Sequence, residues 1–154
     1  MRPLVFEEEN KGIITGGTVI DGAGRRIRSF PLGSPALGTT AAVHAAIADT
    51  GSEQVVTTAI TNPDAPRNIT ATAGGTAAAI AAIQVTVAGT DVDGHAITES
   101  LPAFTVDTPG TVTGAKAFAT VTSITVPAHD GTGATTAVGV GSKLAIPVRL
   151  PRNT

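Results

Sequence analysis

From Glu53 onward the chain reads strand, turn, strand, with strands recurring about every 8–15 residues between turn signals, a rhythm that points to an all-β domain. Asn62-Pro63-Asp64-Ala65-Pro66 carries two prolines, which fix φ and cannot donate to a ladder. Gly74-Gly75 closes the next run, and Asp93-Gly94 supplies the positive-φ residue that a tight hairpin requires. Asp107-Thr108-Pro109-Gly110 and His129-Asp130-Gly131-Thr132-Gly133 complete the series. The intervening runs are rich in Thr, Val, Ala and Ile, side chains suited to a pleated, half-buried surface.

This pattern predicts strands over Gln54–Thr61, Arg67–Ala73, Ala79–Ala88, His95–Phe104, Ala115–Val126 and Thr136–Val140. A last piece at Lys143–Leu150 is broken by Pro147. Ile83, Val85 and Val87 fall on one face of their run by the two-residue period of a strand. In the run from His95, Ile97, Glu99 and Leu101 share a face whose mixed character suits a sheet edge. No strand–helix–strand rhythm appears. The expected fold is therefore all-β, an antiparallel β-sandwich or small barrel.

The 154 residues are enough for one domain and an extension. The first 37 residues differ from the rest. They hold Arg2, Lys11, Arg25, Arg26 and Arg28, the acidic run Glu7-Glu8-Glu9, and repeated Gly and Pro. We read residues 1–37 as an extended N-terminal assembly arm, with a short strand near 17–20 and a turn at Asp21-Gly22-Ala23-Gly24. Fully extended, such an arm reaches on the order of 100 Å, enough to cross onto a neighbouring subunit. Residues 38–50 form a short helix or linker. The Ala-rich stretch Thr39–Ala48 favours a helical turn or two with Val43 and Ile47 on one face, and an extended form competes with it. Residues 51–154 form the β-sandwich domain.

With four Phe and neither Tyr nor Trp, the core is built from small units that each add little burial energy. Only 14% of residues are charged, fewer than a freely dispersed monomer prefers, so the surface is expected to be covered in an assembly. A net charge of −2 offers no basic patch for nucleic acid. The N-terminus lacks a signal-peptide core, and no apolar run approaches the ~20 residues of a membrane helix, so neither nucleic acid nor membrane is an expected partner. The lack of cysteine excludes disulfides and thiolate metal sites, and suits synthesis in a reducing cytoplasm.

Catalytic and cofactor motifs are not expected either. His44, His95 and His129 are far apart and show no paired ligand spacing. Asp91-Val92-Asp93-Gly94 resembles the start of a calcium loop, but its twelfth position is Pro102 where that loop needs Glu, so a plain hairpin is expected. Gly131-Thr132-Gly133 and Gly139-Val140-Gly141 open no helix and read as turn and packing glycines. Ser100 and Ser123 sit in strands without a nucleophile elbow. The expected contact residues are Arg25, Arg26 and Arg28, beside Asp21, with the arm's aromatic residues Phe6 and Phe30. Glu7-Glu8-Glu9 is a candidate complement across a subunit boundary, set against a solvated basic turn of little energetic weight.

Several stretches together resemble a β-domain common among tailed-bacteriophage virion proteins of the capsid decoration or head-fibre type. They are Asn62–Thr70, Val85–Gly94, Ile97–Leu101, Ala115–Ile124 and Val138–Leu144, which read as a Pro-Arg-Asn strand, a Gly-Thr-Asp-x-x-Gly hairpin, an Ile-Thr-Glu strand and a Lys-x-Phe-x-x-Val-Thr-x-Ile strand. The resemblance covers about residues 60–146. It implies a capsid decoration (cement) protein, made in the host cytoplasm and bound to the outer surface of the major capsid protein lattice. It also implies a homo-oligomer, with a trimer expected, and neither a cofactor nor a catalytic residue. A tail-tube, neck or other tail component is the alternative. A fibre module binding host glycans is a further one, disfavoured by the absence of Trp and Tyr platforms.

Overall fold

The computed structural model describes residues 34–145, together with the backbone of Thr18–Ile20 and Arg26–Arg28. The chain divides into two compact units, Met1–Pro35 and Ala36–Thr154. In the first, β1 (Thr18–Ile20) pairs antiparallel with β2 (Arg26–Arg28), with Val19 opposite Ile27. The strand expected near 17–20 is thus present, and its turn lies outside the described residues.

The second unit is an antiparallel β-sandwich. Its strands are β3 (His44–Ala48), β4 (Gln54–Val56), β5 (Arg67–Gly75), β6 (Thr86–Thr90), β7 (Ala96–Ser100), β8 (Gly110–Phe118), β9 (Thr120–Val126) and β10 (Ala134–Leu144). One sheet has the order β3-β10-β5-β8 and the other β4-β9-β6-β7. The inner faces share one core. Ile69, Ala71 and Ala73 from β5 and Val138 and Val140 from β10 meet Val87 from β6 and Ile124 and Val126 from β9. Phe118, Leu101, Phe104, Val85 and Ile80 fill the remaining space. Small inward residues on the central strands let the sheets approach closely, and the few large ones plug the ends.

Local chemistry explains the best-formed hairpin. The β6–β7 turn places Gly94 at φ 81, and the Asp91 carboxylate accepts the Asp93 and His95 N–H groups, each at 2.9 Å. As its mixed face suggested, β7 lies at a sheet edge.

Several expectations are corrected. Of the two forms weighed for Thr39–Ala48, the structure takes the extended one and not the helical turn: His44–Ala48 is a strand, with Ile47 opposite Thr136 of β10. Helix preference in a ten-residue piece is worth less than a sheet position beside an eleven-residue strand. The sandwich therefore includes residues N-terminal to position 51. The expected single strand Ala115–Val126 is two strands in different sheets, turning at Ala119, whose N–H donates to the Thr90 carbonyl at 2.8 Å. The run at Ala79–Ala88 divides into a short 3-10 turn (Ala77–Ala79), a segment without ladder pairing and the start of β6. The first predicted run shortens to Gln54–Val56, and β10 is longer than expected at Ala134–Leu144. Among the described residues no helix is long and apolar enough to cross a membrane.

Candidate functional site: a charged clamp and its pocket

The sequence places Arg67 in phase with Ile69, Ala71 and Ala73, the inward residues of β5. A cation at that position must be paired, because an isolated buried charge is expensive. The structure pairs it. Arg67 is 1% exposed, its Nη2 lies 2.9 Å from Asp64 Oδ1, and its Nη1 donates to the Ala36 carbonyl at 2.8 Å. The Ala36 N–H donates in turn to Asp64 Oδ2 at 2.9 Å. Both backbone polar groups of Ala36 are therefore held by one ion pair. The Ala36 N–H is the main influence holding the Asp64 carboxyl below the usual carboxylate range, with Arg67 adding to it and partial desolvation opposing both.

The turn that carries Asp64 is stitched into the domain on several sides. Thr61 donates its N–H to the Val43 carbonyl at 2.8 Å, and Asn62 Oδ1 accepts the Val121 N–H at 2.9 Å. Ala145 donates to the Pro66 carbonyl at 2.8 Å. Pro63 and Pro66 limit the backbone freedom of the turn before any of these bonds form.

Beside the clamp lies a pocket of about 200 Å³, lined by Leu37, Thr39, Ala42, Pro63, Arg67 and Val140, among others. Its wall near β10 depends on Gly139. The Thr39 carbonyl and the Thr40 backbone lie against the Cα of Gly139, where any side chain would collide with them, and Val140 donates its N–H to Thr39 at 2.9 Å. Leu37, on the rim, is 87% exposed. Arg67 Nε is buried and finds no hydrogen-bond partner among the described residues.

The interface residues chosen from sequence are distributed differently. Arg25, Phe6 and Phe30 lie outside the described residues, as do Asp21 and Glu7-Glu8-Glu9. Arg26 and Arg28 lie on β2, where only the backbone is described. The clamp was legible only as a turn followed by a strand. The available signal was a cation in register with core residues, three positions after an acid.

The three histidines go to separate places. His44 Nδ1 donates to the Ala45 carbonyl at 2.7 Å, and His95 Nδ1 lies 3.5 Å from Asp91 Oδ2. His129 is buried, stacked on Phe104 and bonded to Thr136. Among the described residues, Asp91, Asp93 and His95 are the group whose ligand atoms lie close enough to share a cation, all within 4.8 Å of one another. Desolvation pushes the Asp91 carboxyl up, but the His95 and Asp93 N–H groups outweigh it and hold the carboxyl below its ordinary value. Those same bonds form the hairpin turn, so they account for the cluster without an ion. Ser100 bonds to the Thr86 hydroxyl at 2.9 Å, and Ser123 faces Ala88 in the β6–β9 ladder.

What this arrangement does chemically is mechanical: it fixes the backbone at the start of the sandwich and leaves an apolar pocket and an apolar side chain beside that point. The chain matches no protein-family model, no curated protein and no solved structure.

Proposed function

We propose that the protein is a structural component of a bacteriophage virion, a capsid decoration protein that binds the outer surface of the major capsid protein lattice and stabilises the head. One observation carries the reading. The stretches that resemble phage virion β-domains occupy β5, the β6–β7 hairpin, β8, β9 and β10, successive parts of a single sandwich. They form one folding unit, as a shared domain requires.

The surface chemistry favours the same role. Thr72 and Thr111 face each other on the outer side of the β5–β8 pair with their hydroxyls 2.8 Å apart, and Thr135 and Ala137 continue the row on β10. Such a surface binds through area and shape rather than charge. The clamp at Ala36 holds the chain where residues 1–35 join the sandwich, an anchor suited to an arm that transmits load between subunits. Homo-oligomerisation and the absence of an enzymatic activity belong to this proposal.

The test is to add the purified full chain to expanded shells of the phage that encodes it, assembled without this protein, and to image the product. Periodic occupancy of the shell lattice, with a higher shell rupture temperature, is the expected result. Failure to bind shells, or binding confined to tail tubes or necks, removes the decoration role.

A further inference from the structure

We infer that His129 latches an acid-loosened flap, the segment 77–83 between β5 and β6 at one end of the sandwich. The segment belongs to neither sheet; it begins with the 3-10 turn Ala77–Ala79 and carries no ionisable side chain. Ala77, Ala78 and Ala82 are exposed, and Ile80 is its fully buried large side chain. Gly75, at φ 83, ends β5 just before it and supplies a pivot. So short and lightly packed a piece opens at less cost than either sheet.

The carbonyls of Ala79, Ile80 and Ile83 accept the N–H groups of Asp130, Asp107 and Phe104 at 3.1, 3.0 and 3.1 Å. The Ala81 N–H donates to His129 Nδ1 at 3.2 Å, and this is the flap bond that a proton can break. An N–H can only donate, so Nδ1 carries the lone pair and the ring proton sits on Nε2, 2.9 Å from the Thr136 hydroxyl. The two sides of the ring then respond to acid differently. A second proton, on Nδ1, sets one N–H against another and turns the flap bond into a repulsion. The bond to Thr136 of β10 survives, as does the one from the His129 backbone N–H to Asp49 Oδ1 at 3.0 Å. Acid therefore acts on the flap and leaves the histidine seated on the sandwich.

The surroundings set the direction. Asp49 lies just past β3, Asp130 in the histidine's own loop and Asp107 in the segment after β7. Neither Thr136 nor Phe104, whose ring stacks on the imidazole with centroids 6.0 Å apart, brings a charge. Burial disfavours the charged ring more than Asp49 and Asp130 favour it, so His129 is kept neutral while the flap is closed. Opening returns the ring to water with those carboxylates still beside it. The open form then binds the proton more readily, and closure weakens as pH falls below the ordinary histidine value. Loosening exposes Ile80, so acid gives this end of the sandwich an apolar contact surface that neutral pH conceals.

The test is amide exchange of the full chain, corrected for intrinsic rates at each pH. Ala81, Phe104 and Asp107 are expected to be at least about tenfold less protected than the best-protected amides of β5 and β10. From pH 7.5 to pH 5 their protection should fall by about fivefold or more, and in His129→Gln, whose side chain does not titrate, that fall should vanish. Protection equal to that of β5 and β10 means that these residues open only with the whole sandwich, and overturns the flap. No fall in wild type, or a fall that persists in His129→Gln, overturns the latch. Imidazole nitrogen shifts of the wild type give a reading free of any variant: at pH 7.5 they should place the proton on Nε2, and a proton on Nδ1 overturns the latch.

Discussion

Arg67 and Ala36 lie 31 positions apart in sequence, yet the Arg67 guanidinium holds the Ala36 carbonyl at 2.8 Å while its ion partner Asp64 holds the Ala36 N–H at 2.9 Å. A buried cation thus anchors the first residue of the sandwich. Arg67→Ala leaves the Asp64 carboxylate without its ion partner, opens a cavity and frees Ala36, and its expected cost is about 3 kcal/mol, measured by urea unfolding. Asp64→Asn keeps the shape and loses the charge. Since the folded Asp64 pKa is lowered, its contribution is present above the unfolded carboxylate value and is lost as pH falls through the folded one. Wild type should therefore lose stability on strong acidification more steeply than Asp64→Asn, a difference read from thermal midpoints across that range.

Asn68 bridges the two strands that flank β5. Its Oδ1 accepts the Lys143 N–H of β10 and its Nδ2 donates to the Gly114 carbonyl of β8, both at 3.0 Å. These bonds fall where the ladders on either side change register, between Val140 and Leu144 and between Asn68 and Thr70, so the side chain replaces bonds the backbone cannot make. Asn68→Ala should cost about 2–4 kcal/mol by chemical denaturation and speed hydrogen exchange at Lys143.

His129 is a buried acid-sensitive point. Its Nδ1 accepts the Ala81 N–H at 3.2 Å, which assigns the proton to Nε2 and makes the Thr136 hydroxyl, 2.9 Å away, its acceptor. Burial lowers its pKa, against smaller opposing contributions from Asp49 and Asp130. The unfolded chain then binds the proton more readily than the folded one, so stability is full above the unfolded histidine value and falls as pH drops below it. Urea midpoints should decline from pH 7.5 to pH 5 in wild type and decline less in His129→Gln.

Ala59 adopts φ 54, a left-handed conformation that a side chain disfavours. It is exposed, so no packing is lost on removing its methyl group. Ala59→Gly should raise stability by about 0.5–1 kcal/mol, while Ala59→Val should lower it, because branching at Cβ worsens the clash. Thermal midpoints of the two variants should move in opposite directions.

The elements readable in sequence were those with local causes. The β6–β7 hairpin followed from Asp93-Gly94, the end of β5 from Gly74-Gly75, and the turn at 62–66 from its prolines. Errors arose where two local readings coincided. Val43 and Ile47 share a face at a spacing of four whether the backbone is helical or extended, so their pattern did not distinguish β3 from a helix. Likewise Ala115–Val126 holds neither Gly nor Pro, and nothing local marked the change of sheet at Ala119.

Sequence alone determined that this chain is all-β, because side-chain alternation and turn chemistry act over a few residues and are written where they act. Only the tertiary structure decided which sheet each strand joins, and that Arg67, Asp64, Ala36 and Leu37 meet at one corner. Arg67 and Ala36 are 31 positions apart and Asn68 and Lys143 are 75 apart, and the energies of such contacts exist only after the backbone has closed around them.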